Sequence, residues 1–246
     1  MSAIQEGVDK GRFIGVGVGP GDPELITLKA LRLIKGANVI SYLSNAEGGS
    51  QAKHIAREAF FDVVEEQMEI AIVMPMSTDR TLANAAYDEG ASAIAESLEQ
   101  GNDVVFLCEG DPLFFGSFAY LLERLKAKFD CQVVPGVSSI NAASSVLNHP
   151  LTVLKESFAV VSGRHSVEQI DTALKQHDSV VIMKAGRARP MILDVLRKTS
   201  RMQDAKYLEY IGRENERIVD DVSTLEGKAG PYFSLFVVTK SERGTR

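Results

Sequence analysis

Apolar residues in this chain fall into two alternating kinds of run. Some are short β-branched blocks closed by glycine or proline, and others are longer stretches in which apolar positions return every three or four residues. The block at 13–18 runs straight into Gly19-Pro20-Gly21-Asp22-Pro23, which predicts a strand entering a loop. From Thr27 onward, Leu28, Leu31 and Ile34 recur at helical spacing, and Gly36 is placed to end the helix. The same alternation predicts strands at 39–43, 104–108 and 131–134, with helices at 51–59, 82–100, 118–128 and 139–147. Repeated strand–helix units imply a mostly parallel sheet, because parallel neighbours need a crossover connection.

Asn148-His149-Pro150 interrupts the pattern, and the stretch to Glu156 reads as a linker. Beyond it, strands are expected at 158–162, 180–183, 207–211 and 233–239, with helices near 167–175 and 191–198. The expected organisation is two α/β domains, 1–152 and 153–246, with a ligand cleft between them. A chain of 246 residues accommodates two domains of about 100 to 150 residues each.

Composition narrows the function classes. Every long apolar run is broken by Gly, Pro or polar residues, so nothing resembles a span of roughly 20 apolar residues, and no membrane association is expected. Residues 1–10 carry Glu6 and Asp9 and lack the apolar stretch of a secretion leader, which points to the cytoplasm. Cys108 and Cys131 have neither disulfide-framework nor zinc-ligand spacing, so no protein-bound metal is expected. A formal net charge of −6 gives no global attraction to nucleic acid. An anionic substrate would need a local patch, and Lys184, Arg187 and Arg189 are the candidates, the alternative being a solvated helix start. His54, His149, His165 and His177 form no constellation and read as surface or structural residues.

Gly15, Gly17 and Gly19 invite a dinucleotide-fold reading, but the details oppose it. Pro20 occupies the position of the third glycine, Pro20 and Pro23 remove two amide donors, the next helix is delayed, and the next strand ends in Ser-Tyr-Leu with no ribose-binding acid. The longer string VGVGPGDPELITLKALRLIKGANVI at 16–40 resembles the opening signature of the tetrapyrrole methyltransferase family, as do CEGDPLFFGSF at 108–118, VVPGVSSINAA at 133–143 and VIMKAG at 181–186. Within that family, EGDP with its aromatic pair and GSF, followed by PGVSS, looks most like the precorrin-2 C(20)-methylating members. Many relatives carry Tyr where this chain has Phe115.

The resemblance implies two α/β domains with S-adenosylmethionine in the cleft between them, a corrin-precursor substrate and a homodimer. It also assigns residues. Pro20, Glu109, Gly110, Asp111, Ser138, Ser139, Met183, Tyr207, Leu208 and Ser234 are cofactor positions; Gly19, Gly21, Asp22, Lys184 and Arg187 face the substrate. In-line methyl transfer from a sulfonium needs alignment and exclusion of water, with no nucleophilic Ser, Cys or His. If a base collects the leaving proton, Glu109 is the candidate; otherwise it orients the loop. Asp111-Pro112 equally suits a turn or helix start, and Ser138 and Ser139 suit a helix cap. Methylation of the cobalt-loaded counterpart of precorrin-2, other corrin or uroporphyrinogen methyltransferases, an RNA-modifying relative and a non-catalytic tetrapyrrole binder are the competing functions.

Overall fold

In a computed structural model, residues 9–61, 63, 66–75, 77 and 79–240 are described. Residues 1–8, over which most of the leader argument runs, lie outside them. The chain forms two compact units, residues 1–138 and 139–246, each built on one five-stranded sheet.

The first unit contains β1 (Phe13–Gly17), α1 (Leu28–Lys35), β2 (Val39–Ser44), α2 (Gln51–Ile55), β3 (Met68–Val73), α3 (Arg80–Glu99), β4 (Val104–Cys108), α4 (Phe118–Leu125) and β5 (Cys131–Val134). Its strands pair in the order β3-β2-β4-β1-β5, all parallel. Alternation along the central strands sorts side chains between two apolar layers. Ile14, Val16, Ile40, Val105 and Leu107 pack with α1 and α2, whereas Phe13, Val39, Val104 and Phe106 pack with α3 and α4. Such two-sided burial explains why β1 and β4 read as unbroken apolar runs. The Thr27 hydroxyl accepts from the Ala30 amide at 3.2 Å and starts α1, so the helix begins where the periodicity does.

The second unit contains α5 (Ser139–Val146), β6 (Phe158–Ser162), α6 (Val167–Gln176), β7 (Ser179–Met183), α7 (Arg189–Lys198), β8 (Ala205–Glu209), β9 (Arg217–Val219) and β10 (Ser234–Thr239). Its sheet is mixed. In the order β6-β7-β10-β8-β9, only β6 and β7 are parallel. Helices α6 and α7 cover one face through Ile170, Leu174, Ile192 and Leu196 against Ile182, Tyr207 and Phe236. On the other face, Ile140, Ala142 and Ala143 of α5 meet Val181, Leu208, Leu235 and Val237. Helix α5, which the sequence groups with the first domain, therefore packs on the second sheet. Among the described residues no helix is long and apolar enough to cross a membrane.

Candidate active site

Three loops of the first unit meet where the parallel strands β4, β1 and β5 end side by side. Ligands of open α/β sheets collect at this end of the strands. The chain leaving β1 bonds to the chain leaving β4: the Val18 amide donates to the Cys108 carbonyl at 2.9 Å, and the Gly110 amide to the Gly19 carbonyl at 2.8 Å. The approach is so close that side chains are excluded. A Cβ built on Gly17 would lie 2.5 Å from the Gly110 carbonyl oxygen and 2.6 Å from the Gly136 Cα, and one on Gly136 would run into that same carbonyl and approach the Gly17 Cα to 2.7 Å.

Gly110 itself turns outward. Its φ of +64° is the left-handed region that glycine tolerates, and a Cβ there would meet nothing nearer than Ser138 Cα and the Val137 carbonyl oxygen at 4.0 Å. Half-buried Gly110 thus stands at the junction of the three loops with ordinary van der Waals room for a side chain beside it.

Asp111 fastens this three-loop cradle. One carboxylate oxygen accepts from the amides of Leu113 at 2.9 Å and Phe114 at 3.1 Å, and the other accepts from the Gly136 amide at 3.2 Å. The turn-forming role of Asp111 is thus present, and the side chain also ties the β4 loop to the β5 loop. Glu109 is half-buried between β4 and Gly110. Beside it the Cys108 thiol is pushed up to about 11, chiefly by burial.

The glycine loop after β1 does not present a helix N-terminus. Asp22 accepts from the Glu24 amide at 2.9 Å to start a single 3-10 turn at Pro23–Leu25, and α1 follows only at Leu28. Gly15 faces the Phe118 ring and serves packing. Gly19, Pro20 and Gly21 are buried.

Candidates in the second unit divide sharply. Met183 ends β7, and Lys184 follows with φ +53°, a conformation uncommon outside glycine. The next turn is held by the Ala185 amide donating to the Ser234 carbonyl at 3.1 Å and the Gly230 amide donating to the Gly186 carbonyl at 2.8 Å. Arg187 is exposed. Arg189 is not part of a surface patch: it is buried, donates to the Lys228 carbonyl at 2.7 Å and pairs with Glu209 at 3.4 Å. Tyr207 and Leu208 are fully enclosed on opposite faces of the second sheet, so any ligand contact there falls to the backbone. The Ser234 hydroxyl donates to the Pro231 carbonyl at 2.7 Å. His149 lies within hydrogen-bonding distance of Thr239 at 3.1 Å, in keeping with a structural role.

The structural use of Gly17 and Gly136 goes beyond what the sequence suggests. Its signal is positional: each stands at, or two residues beyond, the end of one of three adjacent strands.

A family model described as Tetrapyrrole (Corrin/Porphyrin) Methylases matches residues 12–226. The chain belongs to this family. A Mycobacterium bovis relative named Cobalamin biosynthesis protein CobIJ is 35% identical over 242 residues, 95% of this chain but 47% of the relative, so this chain spans about half the length of that protein. A Sinorhizobium relative named Precorrin-2 C(20)-methyltransferase is 32% identical over 240 residues, covering 94% of this chain and 96% of the relative. A Salmonella typhimurium relative named Cobalt-precorrin-2 C(20)-methyltransferase is 31% identical over 94% of this chain and 97% of its own length. Among solved structures, uroporphyrin-III C-methyl transferase from Thermus thermophilus complexed with S-adenyl homocysteine shares the fold, with a TM-score of 0.67 and 24% identity over 94% of this chain and 98% of that one.

Proposed function

We infer that this tetrapyrrole methylase transfers a methyl group from S-adenosylmethionine to carbon 20 of precorrin-2, giving precorrin-3A in cobalamin biosynthesis, as a cytoplasmic homodimer. The observation that carries the reading is the three-loop backbone cradle at the ends of β4, β1 and β5, in which Gly110 turns at φ +64° and Asp111 fastens two of the loops. The full-length likeness to the Sinorhizobium protein supports the choice of substrate, and the Thermus complex supports the choice of donor.

When bound, S-adenosylmethionine supplies an electrophilic methyl group on a sulfonium. In this proposal Pro20, Glu109, Gly110, Asp111, Ser138, Ser139, Met183, Tyr207, Leu208 and Ser234 are the residues that hold it. Gly19, Gly21, Asp22, Lys184 and Arg187 contact the macrocycle. The protein aligns the two reacting carbons and excludes water, which is what a displacement of this kind chiefly asks of it. The acceptor carbon belongs to an electron-rich conjugated system, so it attacks before its proton leaves, and the Glu109 carboxylate accepts that proton afterwards.

The Salmonella relative favours a second reading in which the acceptor already carries cobalt, held by the macrocycle. Incubation with labelled S-adenosylmethionine and precorrin-2, cobalt-precorrin-2 or uroporphyrinogen III separates the readings. Label is expected at carbon 20 of precorrin-2; transfer confined to uroporphyrinogen III overturns the proposal, and transfer confined to the cobalt form replaces it with the second reading.

A further inference from the structure

Between Thr224 and Ser234 the second unit runs as a strap with neither helix nor strand, and the strap leads straight into β10. It lies backbone to backbone on the turn after β7. The Gly230 amide donates to the Gly186 carbonyl at 2.8 Å, and a Cβ on Gly186 would lie 1.9 Å from the Pro231 carbonyl oxygen. Two residues proposed above for the cofactor bracket this crossing, since β7 ends at Met183 and β10 begins at Ser234. The Ser234 hydroxyl donates to the Pro231 carbonyl at 2.7 Å, and its own carbonyl accepts from the Ala185 amide at 3.1 Å. Whatever places the strap therefore places the backbone at both residues.

Arg189 grips the strap. Its Nε donates to the Lys228 carbonyl at 2.7 Å, its Nη2 to the Ala229 carbonyl at 3.3 Å and its Nη1 to the Glu209 carboxylate at 3.4 Å. The guanidinium lies 5.5 Å from the centre of the Tyr207 ring. A Cβ on Gly230 would come within 2.2 Å of the Tyr207 hydroxyl and 3.0 Å of Arg189 Nη1, so the strap closes over both side chains. Glu209 ends β8 directly opposite Ser234 in the sheet. Stability alone does not call for this pair. Arg189 is the first residue of α7, where the helix disfavours a cation, and both it and Glu209 are buried. Apolar residues of similar volume commonly stabilise such a place as well as a buried ion pair does. What they cannot do is aim donors in one plane at two successive carbonyls.

We propose that Arg189, oriented by Glu209, is a positioning residue for methyl transfer: it fixes the strap on the Gly186 turn and so shapes the backbone at Met183 and Ser234 for S-adenosylmethionine. The proposal rests on the donor reading above. Arg189 acts through the strap and does not itself touch the cofactor.

The test compares the wild type with Arg189→Lys, Arg189→Met and the double variant Arg189→Met/Glu209→Met. For each, the Kd for S-adenosylhomocysteine by calorimetry, the melting temperature and the amide hydrogen exchange of residues 226–234 are measured. Arg189→Met strands the Glu209 charge and is expected to melt lower, and the double variant, which removes that charge, is expected to regain most of the loss. Cofactor affinity is expected to behave differently. The Kd should rise about 10-fold or more in all three variants, the restabilised double variant included, with faster exchange in the strap. A double variant that regains both melting temperature and wild-type Kd overturns the proposal and leaves the pair a purely structural one. So does a weakened Kd with wild-type exchange in the strap. Should the methionine variants fail to fold, Arg189→Lys, which keeps the charge, decides: wild-type affinity there overturns the positioning role. A wild type that binds no S-adenosylhomocysteine overturns the donor reading and the proposal together, whereas a binding wild type with equally tight variants overturns the proposal alone.

Discussion

At the scale of single residues, Asp111 shows how a structural role and a binding role become one. Its carboxylate accepts from three backbone amides on two loops, so Asp111→Ala leaves those amides without their acceptor as well as removing a charge. The expected cost is about 1–3 kcal/mol in urea unfolding, together with a weaker Kd for S-adenosylhomocysteine. Asp111→Asn retains an oxygen for Leu113 and Phe114 and is expected to recover most of the stability. If Asp111→Ala unfolds like the wild type, the fastening role is wrong. Glu109→Gln separates proton acceptance from loop geometry, because the amide keeps the shape and loses the basicity. A fall of roughly 100-fold in single-turnover methylation with cofactor affinity intact is expected, and a rate near wild type removes Glu109 from catalysis. The sequence points to both residues through the EGDP string, but not to the bond from Gly136 to Asp111, since a contact across 25 positions leaves no local pattern.

At the scale of elements, the three loop crossings make the strand ends depend on one another. Gly136→Ala places a methyl group against the Gly110 carbonyl, which is backbone and cannot swing aside as a side chain would. The substitution is expected to cost about 1–3 kcal/mol of stability and to weaken S-adenosylhomocysteine binding at least 10-fold, read by calorimetry. Wild-type affinity in Gly136→Ala would mean the loops can separate without harm. Elements that obey a period are legible in the sequence. Helix α1 begins beside the capping Thr27, and the apolar runs of β1 and β4 announce strands buried on both faces. Strand β3 is not among the expected strands, although Ile70, Ala71, Ile72, Val73 and Met74 form an apolar block closed by Pro75; as the edge strand it is exposed at Met68, Glu69, Ala71 and Val73. Strand β9 has three residues, too few to carry a period. The second sheet reads from sequence as further α/β elements, and its antiparallel pairings stay hidden because the partners β7, β8 and β10 are set by tertiary packing rather than by local runs.

Over the whole molecule, ionisable groups bound stability on both sides of neutrality. Lys240 and the amide and hydroxyl of Ser157 hold the Asp178 carboxyl well below its ordinary value, and Lys175, with Lys198, does the same for Asp171. At Asp103 and Glu69 burial opposes the shift, but Arg12 in one case and Lys53 with Tyr42 in the other outweigh it. Each carboxyl is depressed on folding, so its contribution is complete above the ordinary carboxylate range and is lost as pH falls through the folded value. The alkaline side works in the opposite sense. The buried Cys108 thiol rises from 9.0 to about 11, so the folded state keeps a proton that the unfolded chain releases, and stability falls across that interval. A rise of that size corresponds to roughly 2–3 kcal/mol, lost between the ordinary and the folded value. Urea unfolding from acid to alkaline pH is therefore expected to show a plateau with declines on both sides. In Cys108→Ala the plateau drops by the small volume lost, and the alkaline decline becomes shallower by roughly 2–3 kcal/mol, leaving what Cys131, Tyr42 and Tyr207, all raised chiefly by burial, and Lys53, raised by Glu69 against its burial, contribute. Alkaline limbs that run parallel in the two proteins would show that Cys108 does not titrate there in the folded chain, and that the strand end beside Glu109 is wetter than its burial indicates.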